Sequence, residues 1–213
     1  MAITKLKALG VTDGTLTNTQ INASAAIAKT KLAALDIVNA DINNSAAIAF
    51  SKLTGVTNGI TEADQWRVNA TIAGAPQPIA TNLERNDTNF QLIGTGLTQS
   101  SGVFSFPSTG IWHVTYNLKF YFNSADRVAD IYIQETVDNG SNWTTRAATS
   151  TNGYGSGSYT HASAVSNMIW KCANISTNKL RFMTNPMSSS NTWVQGSTDN
   201  NSTYMTFLKL AEI

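Results

Sequence analysis

The stretch GVFSFPSTGIWHVTYNLKFYF, residues 102–122, decides the fold. From Trp112 onward, large apolar side chains alternate with mostly polar ones. Because successive side chains of a strand point to opposite faces, this period of two predicts a long strand with one apolar face. A shorter strand precedes it, and Pro107 and Gly110 mark the turn between the two. An apolar face of this length needs a second layer to cover it, so the stretch predicts an antiparallel sandwich or barrel.

Further strands follow to the C-terminus, separated by segments rich in Gly, Asn and Ser. Residues 128–137 alternate in the same way, and Asp138-Asn139-Gly140 predicts a hairpin turn after them. About eight to ten strands indicate an all-β sandwich with Greek-key or jelly-roll connections, which we expect to form a head over residues 85–213. The predicted core of this head consists of Phe104, Phe106, Trp112, Val114, Tyr116, Leu118, Phe120 and Phe207.

Residues 1–60 differ in composition, being rich in Ala, Thr, Asn and Ile and lacking Trp and Tyr. Within them, INASAAIAKTKL at 21–32 recurs as INNSAAIAFSKL at 42–53, an offset of 21 residues. The positions reached from Ile21 by alternating intervals of four and three residues are mostly apolar. Parallel helices need apolar residues at this spacing to pack around a common axis. The predicted trimer seam of this stalk contains Ile21, Ala25, Ala28, Leu32, Leu35, Ile42, Ala46, Ala49 and Leu53.

Two short helices joined by extended segments fit this repeat better than one continuous coiled coil. Ser24 and Ser45 are typical helix N-caps, whereas residues 36–43 are poor in helix formers. Since isolated helices shorter than about 12 to 15 residues are marginal in water, we expect a stalk that folds only when several chains wind together. A leader that never orders is the alternative. The expected organisation is an anchor and stalk at 1–60, a neck or linker at 61–84, and then the head.

Charged residues make up only 13% of the chain, and the formal net charge is +1. A surface of small neutral polar groups suits close-packed assembly and supplies no field for nucleic acid or anionic lipid. No apolar run approaches the roughly 20 residues of a membrane span, and the N-terminus lacks a signal peptide's apolar core. We therefore expect no nucleic-acid partner, no membrane insertion and folding in a cytoplasm. The single Cys172 cannot form an intrachain disulfide, and its apolar neighbours predict a buried structural thiol.

The chain offers few groups for chemistry, so we expect no catalysis and no cofactor. His113 lies on the less apolar face of the long strand, and His161 follows a Gly/Ser loop from which it could contact a ligand. No Cys and His spacing is typical of a metal site. Asp126, Asp130 and Asp138 could supply oxygens to calcium, although turn chemistry explains Asp138 more simply.

Sugar binding is the ligand hypothesis that the sequence favours most. Neutral glycans are held by aromatic rings and neutral hydrogen-bonding side chains, and both occur together in the loops of the head. The candidate ligand-binding residues are Trp143, Tyr154, Tyr159 and Trp193. Trp and Tyr are equally typical of protein interfaces, so these residues face either a trimer interface or solvent.

A set of alternating residues resembles the core signature of the complement-subcomponent globular head, which belongs to the tumour necrosis factor-like jelly-roll superfamily: Phe104, Gly110, Trp112, Val114 and Tyr116. Leu97 and residues 202–208 resemble other core strands of that family. The chain departs from the family pattern at Trp112, Val114 and Leu92, where Tyr, Phe and Asn or Asp are usual. The resemblance implies a ten-strand jelly roll that associates as a threefold trimer.

A second resemblance covers most of the chain and points to a family of virion structural proteins in tailed phages of marine cyanobacteria. It rests on ITEADQWR at 60–67, NLER at 82–85, IGTG at 93–96, QSSG at 99–102, FPSTGIW at 106–112 and STDNNSTY at 197–204. The N-terminal repeat is also similar to stalk repeats of phage fibre proteins. These resemblances imply that the protein is part of a virion. They do not indicate whether it belongs to the capsid or to the tail.

Residues and resemblance together favour a homotrimeric phage fibre or spike, made in the host cytoplasm. Its N-terminus would join other virion proteins, and its head would bind a host-surface glycan through several weak sites at once. A capsid decoration or head-fibre protein without an essential receptor is the main alternative. A glycan-degrading enzyme is a third, but it would need paired carboxylates that we do not find.

Overall fold

The computed structural model describes residues 42–43, 45–48, 52, 59–74, 76–87, 92–122, 128–153, 160–185 and 192–213. The chain divides into two compact units, Met1–Thr54 and Gly55–Ile213. Most of the predicted stalk seam therefore lies outside the described residues, namely Ile21, Ala25, Ala28, Leu32, Leu35, Ala49 and Leu53. None of the described segments forms a helix with the length and apolar character of a membrane span.

The described residues of the first unit include the start of the second predicted helix. Ile42 and Ala46 of the predicted seam are exposed there, and residues 46–48 are not helical. The Asn43 side chain accepts a hydrogen bond from the backbone N–H of Ser45 at 2.7 Å. The backbone N–H of Ile48 donates to the carbonyl of Ala46, two residues away, at 3.0 Å. These local bonds compete with the four-residue spacing of a helix, so the predicted helix does not begin at Ala46.

The second unit is an all-β sandwich, which confirms the predicted fold class. Its described strands are β1 Ala63–Val68, β2 Ile72–Ala73, β3 Leu83–Arg85, β4 Thr98–Ser100, β5 Val103–Ser105, β6 Gly110–Phe122, β7 Val128–Thr136, β8 Thr144–Asn152, β9 Thr160–Cys172, β10 Lys179–Thr184, β11 Thr192–Val194 and β12 Tyr204–Ala211. The first sheet has the order β2-β11-β6-β12-β1-β3, with β9 paired to the other side of β6. The second sheet has the order β4-β5-β10-β7-β8.

The long predicted strand is β6, and it lies in the middle of the first sheet. Every second residue from Gly110 to Phe122 is buried, as the apolar alternation predicts. β9 pairs with the whole of β6 in antiparallel register, from Gly110 opposite Cys172 to Phe122 opposite Thr160. Within the described residues, β9 pairs with no other strand and so forms an edge of the sheet.

The core lies between the two sheets and is largely aromatic. All eight residues of the predicted head core are buried, with at most 4% of each exposed. Phe106 packs edge-on against Trp112 with ring centroids 4.9 Å apart, and Phe104 packs in the same way against Phe182 at 5.3 Å. Full burial of one such side chain contributes about 1.5 to 3 kcal/mol, so this cluster is a main source of stability. Cys172 is buried at the edge of the same core, and burial raises the pKa of its thiol.

Residues 61–84 are not the neck that the sequence predicts, because they contribute strands to the first sheet. β1 pairs with β12, where Trp66 lies opposite Met205, and β3 pairs with β1. The Trp66 ring packs edge-on against Phe104 at 5.8 Å, so this segment covers part of the core. The sandwich therefore begins before residue 85.

Two buried charges explain why β1 is not recognisable by apolar alternation. Asp64 accepts hydrogen bonds from the indole N–H of Trp66 at 3.0 Å and the backbone N–H of Leu97 at 2.7 Å. Arg67 is 1% exposed and donates to Glu84 at 2.7 Å. Both charges are satisfied by hydrogen bonds, so the strand tolerates them at buried positions.

Shorter strands account for the remaining differences from the predicted series. The described strands outnumber the predicted eight to ten because β1, β2, β3 and β4 were not predicted, and the last three have only two or three residues each. β8 continues to Asn152, beyond the predicted start of a loop at Ser150. The predicted strand at residues 90–94 is reduced, within its described part, to an isolated bridge between Ile93 and Ala63. The predicted hairpin turn after β7 is present, with positive φ at Asn139 and Gly140.

Candidate functional site

The outer face of the first sheet carries a row of ring-bearing side chains that crosses neighbouring strands. Tyr121 of β6 alternates with the buried Phe120 and Phe122 and therefore points away from the core. The pairing register places Tyr121 opposite Trp193 of β11 on one side and opposite His161 of β9 on the other. Since directly opposite residues in an antiparallel sheet are close neighbours, the row brings these three rings into contact.

The three rings line one side of an open pocket. The Tyr121 and Trp193 rings are stacked, with centroids 5.0 Å apart and an interplanar angle of 23°. The His161 ring lies 5.0 Å from Tyr121 at 48°. Thr71 and Gln195 complete the lining, and the pocket has a volume of about 320 Å³. We call this the aromatic pocket.

Local backbone geometry brings the polar members of the lining into place. Gln195 follows Trp193 by two residues, and its backbone N–H donates to the Lys119 carbonyl at 2.9 Å, which extends the pairing beyond β11. Gly196 then passes so close to Ala70 that a Cβ atom at this position would lie 2.5 Å from the Ala70 backbone. This close approach, which only glycine permits, places Thr71 beside Gln195.

Among the residues that the structure describes, the lining is mainly aromatic and contains no carboxylate, lysine or arginine. Its polar groups include the Thr71 hydroxyl, the Gln195 amide and the His161 imidazole, which offer both donors and acceptors. The side-chain oxygen of Gln195 is buried and has no hydrogen-bond partner. An unpaired buried acceptor costs about 1 to 3 kcal/mol, and because this oxygen has no exposed surface, it is not itself within reach of a ligand. Stacked rings beside neutral hydrogen-bonding groups suit the apolar face and hydroxyl rim of a sugar.

Of the predicted ligand-binding residues, the structure places Trp193 in the aromatic pocket and Trp143 elsewhere. Trp143 lies beside the outer face of the second sheet, where its ring packs on the guanidinium group of Arg181. The two tryptophans therefore belong to opposite faces of the sandwich and do not share a site. Tyr154 and Tyr159 lie outside the described residues.

Thr71, Gln195 and Tyr121 were not predicted as ligand-binding residues, and His161 was considered only by itself. The signal for Gln195 was available, since it lies two residues after Trp193 and alternation puts both on one face. Thr71 carries no such signal, because its place depends on the pairing of β2 with β11.

The opposite end of the same sheet face is apolar. His113 of β6 lies opposite Leu208 of β12 and Ile169 of β9. Ile169 is 71% exposed, and Leu208 is half-buried. We call Ile169 and Leu208 the apolar end. Eight residues of β6 separate His113 from Tyr121, which corresponds to about 27 Å at the rise of an antiparallel strand. The apolar end and the aromatic pocket are therefore distinct surfaces on one face.

The carboxylates considered for calcium have structural partners where they are described. Asp138 accepts hydrogen bonds from the Thr136 hydroxyl at 2.6 Å and from the backbone and side-chain N–H groups of Asn142 at 2.9 and 2.7 Å. These bonds lower the pKa of Asp138 to about 2. Asp130 accepts from the Asn185 amide at 2.8 Å. Asp126 lies outside the described residues, and those described contain no group of three His, Cys, Asp or Glu side chains that could hold a metal.

The comparisons with known proteins give a fold and no family. No protein-family model and no curated protein matches the chain. Among solved structures, Eiger TNF from S. frugiperda matches with a TM-score of 0.53 and 12% identity, over 73% of this chain and 96% of that one. Murine APRIL matches with a TM-score of 0.50 and 11% identity, over 70% of this chain and 98% of that one. The head therefore has a tumour necrosis factor-like jelly-roll fold.

Proposed function

We propose that the protein is a homotrimeric fibre or spike of a tailed-phage virion, attached by its N-terminus, whose head binds a neutral glycan of the host surface in the aromatic pocket. The observation that carries the binding role is the stacked pair Tyr121 and Trp193 beside the polar lining residues Thr71 and Gln195. The virion assignment rests on the sequence resemblances and on the N-terminal repeat.

The chemistry of the pocket favours a neutral ligand over a charged one. A sugar ring can lie against the exposed aromatic surface while its hydroxyls exchange hydrogen bonds with Thr71 and Gln195. An anion would find no lysine or arginine among the described residues of the lining. Because the pocket is open and shallow contacts bind weakly, several heads on one particle would raise the strength of attachment through multivalency.

Self-association is assigned to the apolar end. Ile169 exposes 71% of its surface, and the half-buried Leu208 lies on the other side of His113 in the same row. An apolar side chain exposed to this extent on a sheet face favours contact with another protein surface. The resemblance to complement-type heads also implies a threefold trimer. Roughly 27 Å of strand separate this end from the aromatic pocket, so association there leaves the pocket open.

The test uses the full-length protein on an array of neutral and acidic host glycans. We expect selected neutral glycans to bind, and Trp193→Ala to weaken that binding about tenfold, since loss of a stacking ring removes roughly 1 to 2 kcal/mol. Trp193→Phe should keep most of the affinity. Tyr132→Ala is the matched control, because this aromatic side chain is half-buried on the opposite sheet.

Two outcomes decide the proposal, one for glycan binding in the aromatic pocket and one for adsorption of phage to host cells. Glycan binding that is the same in Trp193→Ala and the unaltered protein would contradict the assignment of the pocket. Purified protein should also compete with phage for adsorption to host cells. If it does not, the capsid decoration alternative replaces adhesion as the function of the head.

A further inference from the structure

The outer face of the second sheet carries a half-buried arginine held between an aromatic ring and an amide. Arg181 of β10 alternates with the buried Leu180 and Phe182, so its side chain lies on the outer face. Its guanidinium carbon lies 4.2 Å from the centre of the Trp143 ring. Its Nε donates to the side-chain oxygen of Gln134 at 2.8 Å. These two contacts hold the planar guanidinium group in one orientation.

The two terminal nitrogens of Arg181 are available to a ligand. Neither donates a hydrogen bond to a protein group in the part of the chain that the structure describes. Neither belongs to the buried polar atoms without a partner, so both reach solvent. Burial lowers the pKa of Arg181, with no carboxylate acting against it. The side chain is thus a partly desolvated cation whose outward edge has no counter-charge.

The neighbours of the guanidinium group are neutral or positive. The pairing register puts Arg181 opposite Gln134 on β7 and Val103 on β5. Gln134 donates in turn to the Thr145 hydroxyl at 3.1 Å, which fixes the amide that orients the arginine. Lys179 lies two residues away on the same face, and its ammonium group donates only to the Ile175 carbonyl, at 3.2 Å.

The acidic residues of this region are already engaged. Asp138 closes the turn before Trp143 through the Thr136 hydroxyl and the Asn142 backbone and side chain. Asp130 accepts hydrogen bonds from Tyr132 and Asn185. Neither has a hydrogen bond or ion pair with Arg181, so its positive charge has no counter-charge among the residues that the structure describes.

We propose that Arg181 and Trp143 form a second binding site, which takes the carboxylate group of a small acidic ligand such as a uronic acid. A guanidinium group offers two parallel N–H groups whose spacing matches the two oxygens of a carboxylate. Stacking on Trp143 and the bond to Gln134 fix this fork before the ligand arrives, which lowers the entropic cost of binding. The site lies on the opposite face of the sandwich from the aromatic pocket and does not depend on it.

The test is a calorimetric titration of the full-length protein with sodium glucuronate, glucose and inorganic sulfate as separate probes. We expect glucuronate to bind, with an affinity that falls as salt is raised. Arg181→Gln should weaken binding about tenfold or more, because it removes two charge-assisted hydrogen bonds. Trp143→Ala should weaken it less, since only the support of the arginine is lost. The control is Lys171→Gln, which makes the same change of net charge at an exposed position of β9 and should have no effect.

A glucuronate affinity that is equal in Arg181→Gln and the unaltered protein would overturn the proposal. So would a sulfate affinity as high as that of glucuronate, because the site is assigned to a planar carboxylate. If Arg181→Gln does not fold, Arg181→Lys decides: it keeps the charge but loses the fork, so unchanged binding refutes the assignment. Trp193→Ala should bind glucuronate normally, which separates the failure of this proposal from the failure of the aromatic pocket.

Discussion

Replacement of Tyr116 by phenylalanine should stabilise the protein. The Tyr116 side chain is fully buried in β6, and its hydroxyl is one of the buried polar atoms without a hydrogen-bond partner. The same burial raises the pKa of Tyr116 well above its usual value. An unsatisfied buried hydroxyl costs about 1 to 3 kcal/mol.

The substitution keeps the packing of the ring. The Tyr116 ring lies 5.1 Å from Phe182, and phenylalanine preserves this contact. The space left by one oxygen atom costs only a few tenths of a kcal/mol. We therefore expect Tyr116→Phe to raise the free energy of unfolding by about 1 kcal/mol, or the melting temperature by about 2 to 4 °C for a unit of this size.

Urea denaturation followed by tryptophan fluorescence measures this difference. The matched control is Tyr132→Phe, which removes a half-buried hydroxyl that donates to Asp130 at 3.3 Å. This control should be neutral or destabilising by up to about 1 kcal/mol. If Tyr116→Phe is destabilised as much as Tyr132→Phe, the Tyr116 hydroxyl has a partner and the reasoning fails.

Three further predictions concern a turn, a charge and a surface. Gly102 has φ of +78°, and a Cβ atom there would lie 2.2 Å from the carbonyl oxygen of Ile79, so Gly102→Ala should lower the free energy of unfolding by more than about 1 kcal/mol in the same urea assay. Unchanged stability would mean that this turn relaxes. Asp138 has its pKa lowered from 3.8 to about 2 by hydrogen bonds, so its contribution to stability is complete above pH 3.8 and is lost as the pH falls through 2. Thermal melts should show a smaller loss of stability between pH 4 and pH 2 in Asp138→Asn than in the unaltered protein, and parallel curves would refute this. Ile169→Asp should reduce the proposed trimer to smaller species in light scattering, whereas Val137→Asp, at a similarly exposed apolar position, should not. A trimer that survives Ile169→Asp would place self-association elsewhere.

The alternation of apolar and polar residues along a single strand predicts both the strand and its buried face, as β6 shows. Its apolar residues are spaced by two, and they form the core as predicted. β1 has the same role in the sheet, but Asp64 and Arg67 occupy buried positions, so a pattern of apolar residues does not reveal it. Their burial depends on hydrogen-bond partners that are distant in the sequence, which local periodicity does not contain.

The aromatic pocket cannot be predicted from local periodicity either, because it also depends on contacts between residues that are distant in the sequence. Its residues come from separate segments, and the register between Trp193, Tyr121 and His161 is set by long-range pairing. A slip of one residue in either pairing would turn a ring toward the core instead. Loop composition can indicate which aromatic residues are exposed, but not that Trp143 and Trp193 lie on opposite faces.

The full-length pairing of β6 with β9 has a consequence for the order of folding. The hydrogen-bonded pair that is closest in sequence is Phe122 with Thr160, and the most distant is Gly110 with Cys172. Since loop closure costs more entropy for longer loops, the ladder closes most easily from the Phe122 end. The β7–β8 hairpin lies between these two strands in sequence, and its formation shortens the loop that remains to be closed. The hairpin on the second sheet thus prepares the assembly of the first, and the rings of Tyr121 and His161 meet early in that process.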